Sequence, residues 1–490
     1  VLFFNTPDTP IKFFTRAYNP RDGQPISGPT IRVTQGDNLK IVLKNNLLQD
    51  FNGPPNSFRL ANHTNLHLHG LHVSPGADDI FRMVEPNSTG VFEYQIPEDH
   101  SPGTFWYHPH VHGSSSLQQG GGLAGALIVE PSDPNVLPPE LAAMEEEVLL
   151  FQHLCFHNLG KYSSSAPYIN HLNVVKYGKD DIDPRPEYMN ASAVPDYFLV
   201  NGRYQPTITM KPGQFKLFRM VGAGTSAFLE LQVVGSSQAC DMYVVAKDGI
   251  FVDKAYSEPS LLLVPGSRLD VAVMCSKEGG YVLRSKPIDP FTSQLAHSTI
   301  VFEGVLAKLA VVGQPVVMAP PSKLPARPPY LPDLTKASVP QENKFSLAFE
   351  TQGANFVPGP PFPVMHINGV SFSTKDTFVT TLILGEVYEW QVGIAQDSNV
   401  GAGNHPFHVH VNPYQVVGIA NGLSSLLGIK VGEYRDTIPM WQSGLYTIRF
   451  VPDSFTGRAL IHCHMIPHID LGMAAVANIT NSTLPHQLSH

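Results

Sequence analysis

The sequence predicts an all-β protein made of three consecutive copies of one β domain, and three observations carry that prediction. The stretch Ile31-Arg-Val-Thr-Gln-Gly-Asp-Asn-Leu-Lys-Ile-Val-Leu-Lys44 alternates apolar and polar residues around a glycine turn, the mark of half-buried strands. The pattern returns as Ile208-Thr-Met-Lys-Pro-Gly-Gln-Phe-Lys-Leu217 and as Thr381-Leu-Ile-Leu-Gly-Glu-Val-Tyr-Glu-Trp390. Its glycines Gly36, Gly213 and Gly385 recur at intervals of roughly 175 residues, about one domain with its connections. Finally, 44 prolines and 40 glycines make the chain rich in turns, and no window approaches the ~18–20 apolar residues of a membrane-spanning helix. The boundaries that follow are 1–135 for the first copy, 136–312 for the second and 341–490 for the third. Residues 313–340, with eight prolines, should form an extended connector.

The first copy carries His67-Leu-His69-Gly70 and His108-Pro-His110, each placing two imidazoles on one face of a strand. At the corresponding strands the second copy reads Phe228-Leu-Glu-Leu-Gln232 and Gly280-Tyr-Val-Leu-Arg284, without histidine, and is expected to be a spacer. The third copy carries His405-Pro-Phe-His408-Val-His410 and His462-Cys463-His464, then His468 and Met473. With 21 histidines in 490 residues, chance would give about one His-x-His pair, and the chain has five.

One thiolate, two imidazoles and a thioether form the ligand set of a blue copper centre. In an extended strand residues i and i+2 face away from i+1, so His462 and His464 must turn their backs on Cys463, and a second metal site lies behind the first. Pro109 stands where Cys463 stands in the last copy, so the first copy cannot build a thiolate site. The eight strand histidines would converge only if the first and third copies face each other, with a metal cluster in the cleft.

These four runs, His67-Leu-His-Gly, His108-Pro-His-Val-His, His405-Pro-Phe-His-Val-His and His462-Cys-His-Met-Ile-Pro-His468 with Gly472-Met473, resemble the copper signatures of three-domain multicopper oxidases, the laccase group. The resemblance covers essentially the whole chain, in order and spacing. It implies three consecutive cupredoxin-like Greek-key β-barrel domains holding four copper ions, one type 1, one type 2 and two type 3. Carried over residue by residue, it assigns His405, Cys463, His468 and axial Met473 to type 1 copper. His67 and His408 fall to type 2, and His69, His108, His110, His410, His462 and His464 to type 3.

The activity implied is one-electron oxidation of a small aromatic reductant, coupled to four-electron reduction of O2 to water. Electrons would enter where His468 or His405 offers an imidazole edge and pass through Cys463 to the flanking histidines. A carboxylate near the type 2 copper is the expected proton relay. Gly76-Ala-Asp78-Asp79 lies at the family's distance, with Asp78 preferred to Asp79. Several bacterial relatives carry glutamate directly after the second type 1 histidine, whereas this chain has Ile469, and Asp470 should point elsewhere on an extended segment. His72 and His112 are read as supporting rather than ligating, and His153-Leu-Cys155-Phe-His157 as structural.

Alternatives differ in the reductant. A metallo-oxidase acting on Cu(I) or Fe(II) often adds a methionine-rich insert, whereas the 12 methionines here are scattered. A bilirubin-oxidase-like preference for bulky pigments is the other alternative. The net charge of −9 argues against a nucleic-acid partner. The start at Val1, without methionine or a signal-like segment, is read as a processed secreted form or a trimmed chain. Sequons at Asn62, Asn87, Asn190, Asn478 and Asn481 suggest an N-glycosylated protein. Beside Cys463, the pair Cys240 and Cys275 is the expected disulfide, leaving Cys155.

Overall fold

The computed structural model describes residues 2–5, 10–13, 16–18, 26–47, 59–154, 197–235, 239–286, 300–352, 364–372, 378–395, 404–420, 428–441 and 444–481. Cys155, His157 and Asn190 lie outside the described residues.

The repeated turn is the start of the architecture. Gly36, Gly213 and Gly385 all adopt left-handed backbone, with φ of 87°, 76° and 85°, a region glycine enters without steric cost. Each turn joins a strand of one sheet to a strand of a second. In the first copy the order of one sheet is Ile31–Thr34, Gly125–Glu130, Gly103–His108, His67–His69. In the second copy it is Thr207–Met210, Gly304–Val311, Gly279–Lys286, Ala227–Gly235, and in the third Phe378–Ile383, Ala474–Thr480, Gly457–Cys463, Asn404–Val409. In every copy the first of these pairings is parallel and the next two are antiparallel.

The other sheet is built around an antiparallel pair: Asn38–Lys44 with Thr89–Gln95, Phe215–Gly222 with Arg268–Cys275, and Tyr388–Ile394 with Leu445–Phe450. Apolar residues from both sheets meet in a separate core for each copy, exemplified by Leu68, Phe92 and Phe105, by Phe218, Leu231 and Val271, and by Trp390, Phe407 and Ile461. The fold is all-β and cupredoxin-like in all three copies. Cys240 and Cys275 are cross-strand partners and form the expected disulfide.

Smaller apolar clusters dock the copies. Trp106 and Ala126 of the first pack with Leu150 and Val221 of the second, and Ile80 of the first packs with Leu460, Ile466 and Ile469 of the third. The proline-rich run forms neither helix nor strand up to Pro340, yet Leu331 is buried between Ile250 and Tyr434, so it straps the second copy to the third. One sequence expectation fails here. The segment after His464 is a short helix, Ile466–Asp470, and not an extended run. Proline at its start needs no N–H partner, and the helix buries Ile466 and Ile469 in the interface. Asp470 therefore points to the first copy, where its carboxylate accepts from Gly113 N (2.7 Å), Ser116 N (2.8 Å) and Ser116 Oγ (2.6 Å), capping the buried helix Ser115–Gly120.

Candidate metal centre

Strand register brings the imidazoles together. His67 stands opposite His108 in the first copy, and His408 stands opposite His462 in the third, the same pairing in both. Phe407 faces Cys463 in the next register position, so the cysteine lies on the other side of the sheet, in the third copy's own core.

Two donor groups result. On the core side, His405 Nδ1 lies 3.3 Å from Cys463 Sγ and 3.1 Å from His468 Nδ1, and His468 Nδ1 lies 3.5 Å from the sulfur. This is a three-donor site of the blue-copper kind. Met465 N donates to the same sulfur at 3.3 Å. Met473 is fully buried in the same core, and its carbonyl accepts from Cys463 N at 3.2 Å. His405 is buried whereas His468 is partly exposed, so of the two candidates only His468 offers an edge to solvent.

On the cleft side all eight strand histidines converge. Donor atoms of His69, His108 and His464 lie within 4.8 Å of one another, as do those of His110, His410 and His462, and those of His67, His69 and His408. His462 Nε2 lies 3.1 Å from His410 Nε2 and 3.3 Å from His110 Nε2. The outer ring nitrogens are tied down: His108 Nδ1 to Pro109 O (3.1 Å), His462 Nδ1 to Cys463 O (2.9 Å), His408 Nδ1 to Asp436 O (2.9 Å) and His67 Nδ1 to Asp78 Oδ2 (2.6 Å). That leaves Nε2 of His67, His108 and His408 buried without a hydrogen-bond partner. Buried orphan nitrogens are costly, and inward-facing lone pairs held by outer hydrogen bonds are what metal ligation requires. Burial also pushes His67, His108 and His462 well below the ordinary imidazole pKa and His110 down to about 3, which keeps these four rings in the neutral, metal-binding form. The donor set fits copper.

The two aspartates separate cleanly. Asp78 is buried, binds His67, and accepts Leu68 N at 3.0 Å; burial pushes its carboxyl up to about 8. The Asp79 carboxylate instead accepts Phe81 N at 3.1 Å within its own loop. His72 is buried with Nδ1 on Val411 O (3.0 Å) and its ring stacked on Tyr330, outside the donor groups. His112 likewise stays outside them, against Phe372.

Sequence reasoning missed Asp436 and Arg268. Asp436 Oδ1 lies 3.3 Å from His69 Nε2, and Arg268, on the second copy, whose equivalent strands carry no histidine, forms an ion pair with Asp436. Although burial opposes it, the Arg268 guanidinium holds the Asp436 carboxyl well below the usual carboxylate range. The available signal was an arginine opening the buried strand Arg268–Cys275, in which Asp270 is the one other charged residue.

A thiolate site and an imidazole cluster, joined through neighbouring residues of one strand on a three-domain cupredoxin-like fold, define a copper protein equipped for multi-electron redox chemistry. Family models described as multicopper oxidase match residues 22–134, 170–303 and 326–483, and the chain belongs to the multicopper oxidase family. It is thus a copper-dependent oxidoreductase with O2 as acceptor, and its cofactors are four copper ions of types 1, 2 and 3. Similar curated proteins include a multicopper oxidase of Staphylococcus haemolyticus, 22% identical over 93% of this chain and 82% of that protein. A laccase of Bacillus stratosphericus is 23% identical over 91% of this chain and 88% of its own. Among solved structures, the Campylobacter jejuni multicopper oxidase, described as a metallo-oxidase, superposes with a TM-score of 0.66 at 20% identity, covering 98% of this chain and 90% of that one.

Proposed function

We propose that this oxidase is of laccase type, with phenols and related aromatic molecules as electron donors. The complete donor set carries the oxidase chemistry, and the absence of a methionine-rich insert from the sequence favours an aromatic donor over a metal ion. We assign His405, Cys463, His468 and axial Met473 to type 1 copper, His67 and His408 to type 2, and His69, His108, His110, His410, His462 and His464 to type 3. Support comes from the three-donor site around Cys463 and from the three groups of three imidazoles in the cleft. The same assignment divides the chain at 1–135, 136–312, 313–340 and 341–490.

Copper in these sites supplies one-electron redox steps and the place where O2 becomes water. The protein supplies the rest. The partly exposed ring of His468 is the contact for an outer donor. The backbone of Cys463 links that site to His462 and His464 within a few covalent bonds. Burial of all eight cleft imidazoles keeps bulk water out. Asp78 orients His67 through Oδ2 and relays protons at that atom, while Asp79 has no part in it.

The rival reading is a metal-ion donor, as in the description of the C. jejuni enzyme. The scattered methionines weigh against it, since no methionine-rich insert is present in the sequence. Steady-state O2 consumption by the copper-loaded protein, with a phenol and with Fe(II) or Cu(I) under matched conditions, decides. A kcat/KM much higher for the phenol is expected; the reverse order makes this a metallo-oxidase.

We also assign the protein to an oxidising, extracellular setting. The Cys240–Cys275 disulfide suits such a compartment. Among the sequons, Asn87 is exposed on a turn and is the best-placed glycan acceptor, with Asn481 also exposed. Asn62 Oδ1 is engaged by Arg16 Nε at 2.8 Å, and Asn478 is half-buried in a strand. Mass spectrometry of peptides from the natural source should find glycan at Asn87 before Asn62. No helix among the described residues is long and apolar enough to cross a membrane.

A further inference from the structure

The second copy contributes no histidine to the cleft, yet it reaches the imidazole cluster through one side chain. Arg268 is fully buried at the junction of all three copies. Its Nε donates to Thr104 O of the first copy (3.2 Å) and its Nη1 to Gly266 O of the second (3.0 Å). The two terminal nitrogens fork onto the carboxylate of Asp436 in the third, with Nη1 2.7 Å from Oδ1. Such a bidentate pair fixes both position and plane of the carboxylate. Asp248, also from the second copy, holds the same corner by accepting Arg268 N (2.9 Å), Arg435 Nε (2.7 Å) and Thr437 N (3.2 Å).

What that carboxylate faces is His69. Among the eight cleft histidines, His69 is the odd one. Its inner nitrogen is Nδ1, 3.2 Å from His464 Nε2, whereas the others turn Nε2 inward. Its outer nitrogen, Nε2, meets Asp436 Oδ1 at 3.3 Å and Thr437 Oγ1 at 3.3 Å. An anionic acceptor there keeps the proton on Nε2 and leaves the Nδ1 lone pair for metal. Gly70 makes room for the device. With φ of 87° it carries no Cβ, and a Cβ would lie 2.2 Å from Arg268 Nη2 and 2.6 Å from Asp436 Oδ2. The glycine of the His-x-His-Gly run is thus required by the ion pair.

We infer that Arg268 is a positioning residue for the trinuclear copper cluster, acting through Asp436 to set the tautomer and orientation of His69. This rests on the ligand assignment proposed above. The second copy is then a brace whose docking completes the cluster's outer contacts.

The test is Arg268→Lys, which keeps the charge but loses the fork. Copper per molecule, thiolate colour and the thermal midpoint of the copper-free protein are measured beside the parent protein. Copper affinity of the cluster should fall about 10–100-fold, as for other outer partners of metal ligands. Thiolate colour should persist, because His405, Cys463 and His468 have no contact with Arg268. Should the lysine variant fail to fold, Arg268→Gln with Asp436→Asn removes both charges together, leaves no unpaired ion, and should show the same selective copper loss. A variant that folds and keeps full cluster copper, with only a lowered midpoint, overturns the inference and leaves Arg268 as a structural tie. Loss of thiolate colour in proportion to cluster copper also overturns it. A parent protein that binds no more than about one copper ion overturns the ligand assignment and this inference with it.

Discussion

The thiolate site and the imidazole cluster lie one residue apart on the strand Gly457–Cys463, yet they are built in opposite ways. His405, Cys463 and His468 all come from the third copy, and the site packs inside that copy's own core. The cluster takes four histidines from each of two copies, and one of its outer partners, Asp436, is held by Arg268 of the remaining copy. The first site can exist once one domain has folded. The second exists only while domains are docked, so its integrity measures the interface. The difference teaches that the enzyme's two metal functions have separate structural dependencies, although a single strand links them.

Breaking the link itself should have the largest effect. Cys463→Ser is expected to abolish thiolate colour and donor-coupled O2 consumption while copper analysis still finds the cluster ions; sustained oxidase turnover would sink the arrangement. Acid tests the fold's dependence on buried neutral imidazoles, in the cluster and beside it. In the fold His100 and His110 are held down to about 3 and His112 and His468 to about 4, with burial the leading cause. The unfolded chain takes up these protons near 6.5 and therefore binds more of them, so stability falls as pH drops from about 6.5 toward 4. Each such group contributes about 1.4 kcal/mol per pH unit. Denaturation of the copper-free protein across that window should show the slope, and hydrogen exchange should show the cleft strands opening before the third copy's core.

Asp78→Asn should slow O2 reduction about 10–100-fold while single-turnover donor oxidation at the thiolate site stays near the parent rate. Equal slowing of both steps would refute a role confined to the cluster. Asp470→Asn weakens the cap that ties the third copy to the first, and should cost about 1–3 kcal/mol in thermal or denaturant unfolding. It should also lower cluster copper more than thiolate colour. The smallest effect is expected from Asp79→Asn, within about 0.5 kcal/mol and with unaltered turnover, because its hydrogen bond stays within its own loop. A marked loss there would transfer the relay from Asp78.

Much of the donor set was legible because strand geometry is local. A period of two decides that His462 and His464 share a face and that Cys463 takes the other, and no tertiary knowledge enters. The repeated glycine turn and the apolar alternation around it were equally readable, since each reflects backbone and burial preferences within a few residues. The choice of Asp78 over Asp79 was only weakly readable, because adjacent carboxylates differ in facing and not in chemistry. The helix Ile466–Asp470 was misjudged as extended: its apolar face is buried by Ile80, some 390 residues away in the chain, and no local pattern announces that contact.

By itself, the sequence determined the β repeat, the copper-type donor chemistry and the division of donors between two faces of a strand, all of which depend on residue identity and short-range periodicity. Only the tertiary structure decided which imidazole nitrogen turns inward, which aspartate meets a ligand, and that Arg268 of the copper-free copy closes on Asp436 beside His69. Those outcomes depend on how three separately cored domains dock. Docking is set by shape and by buried charge pairing across hundreds of residues, for which no local pattern in the chain can stand in.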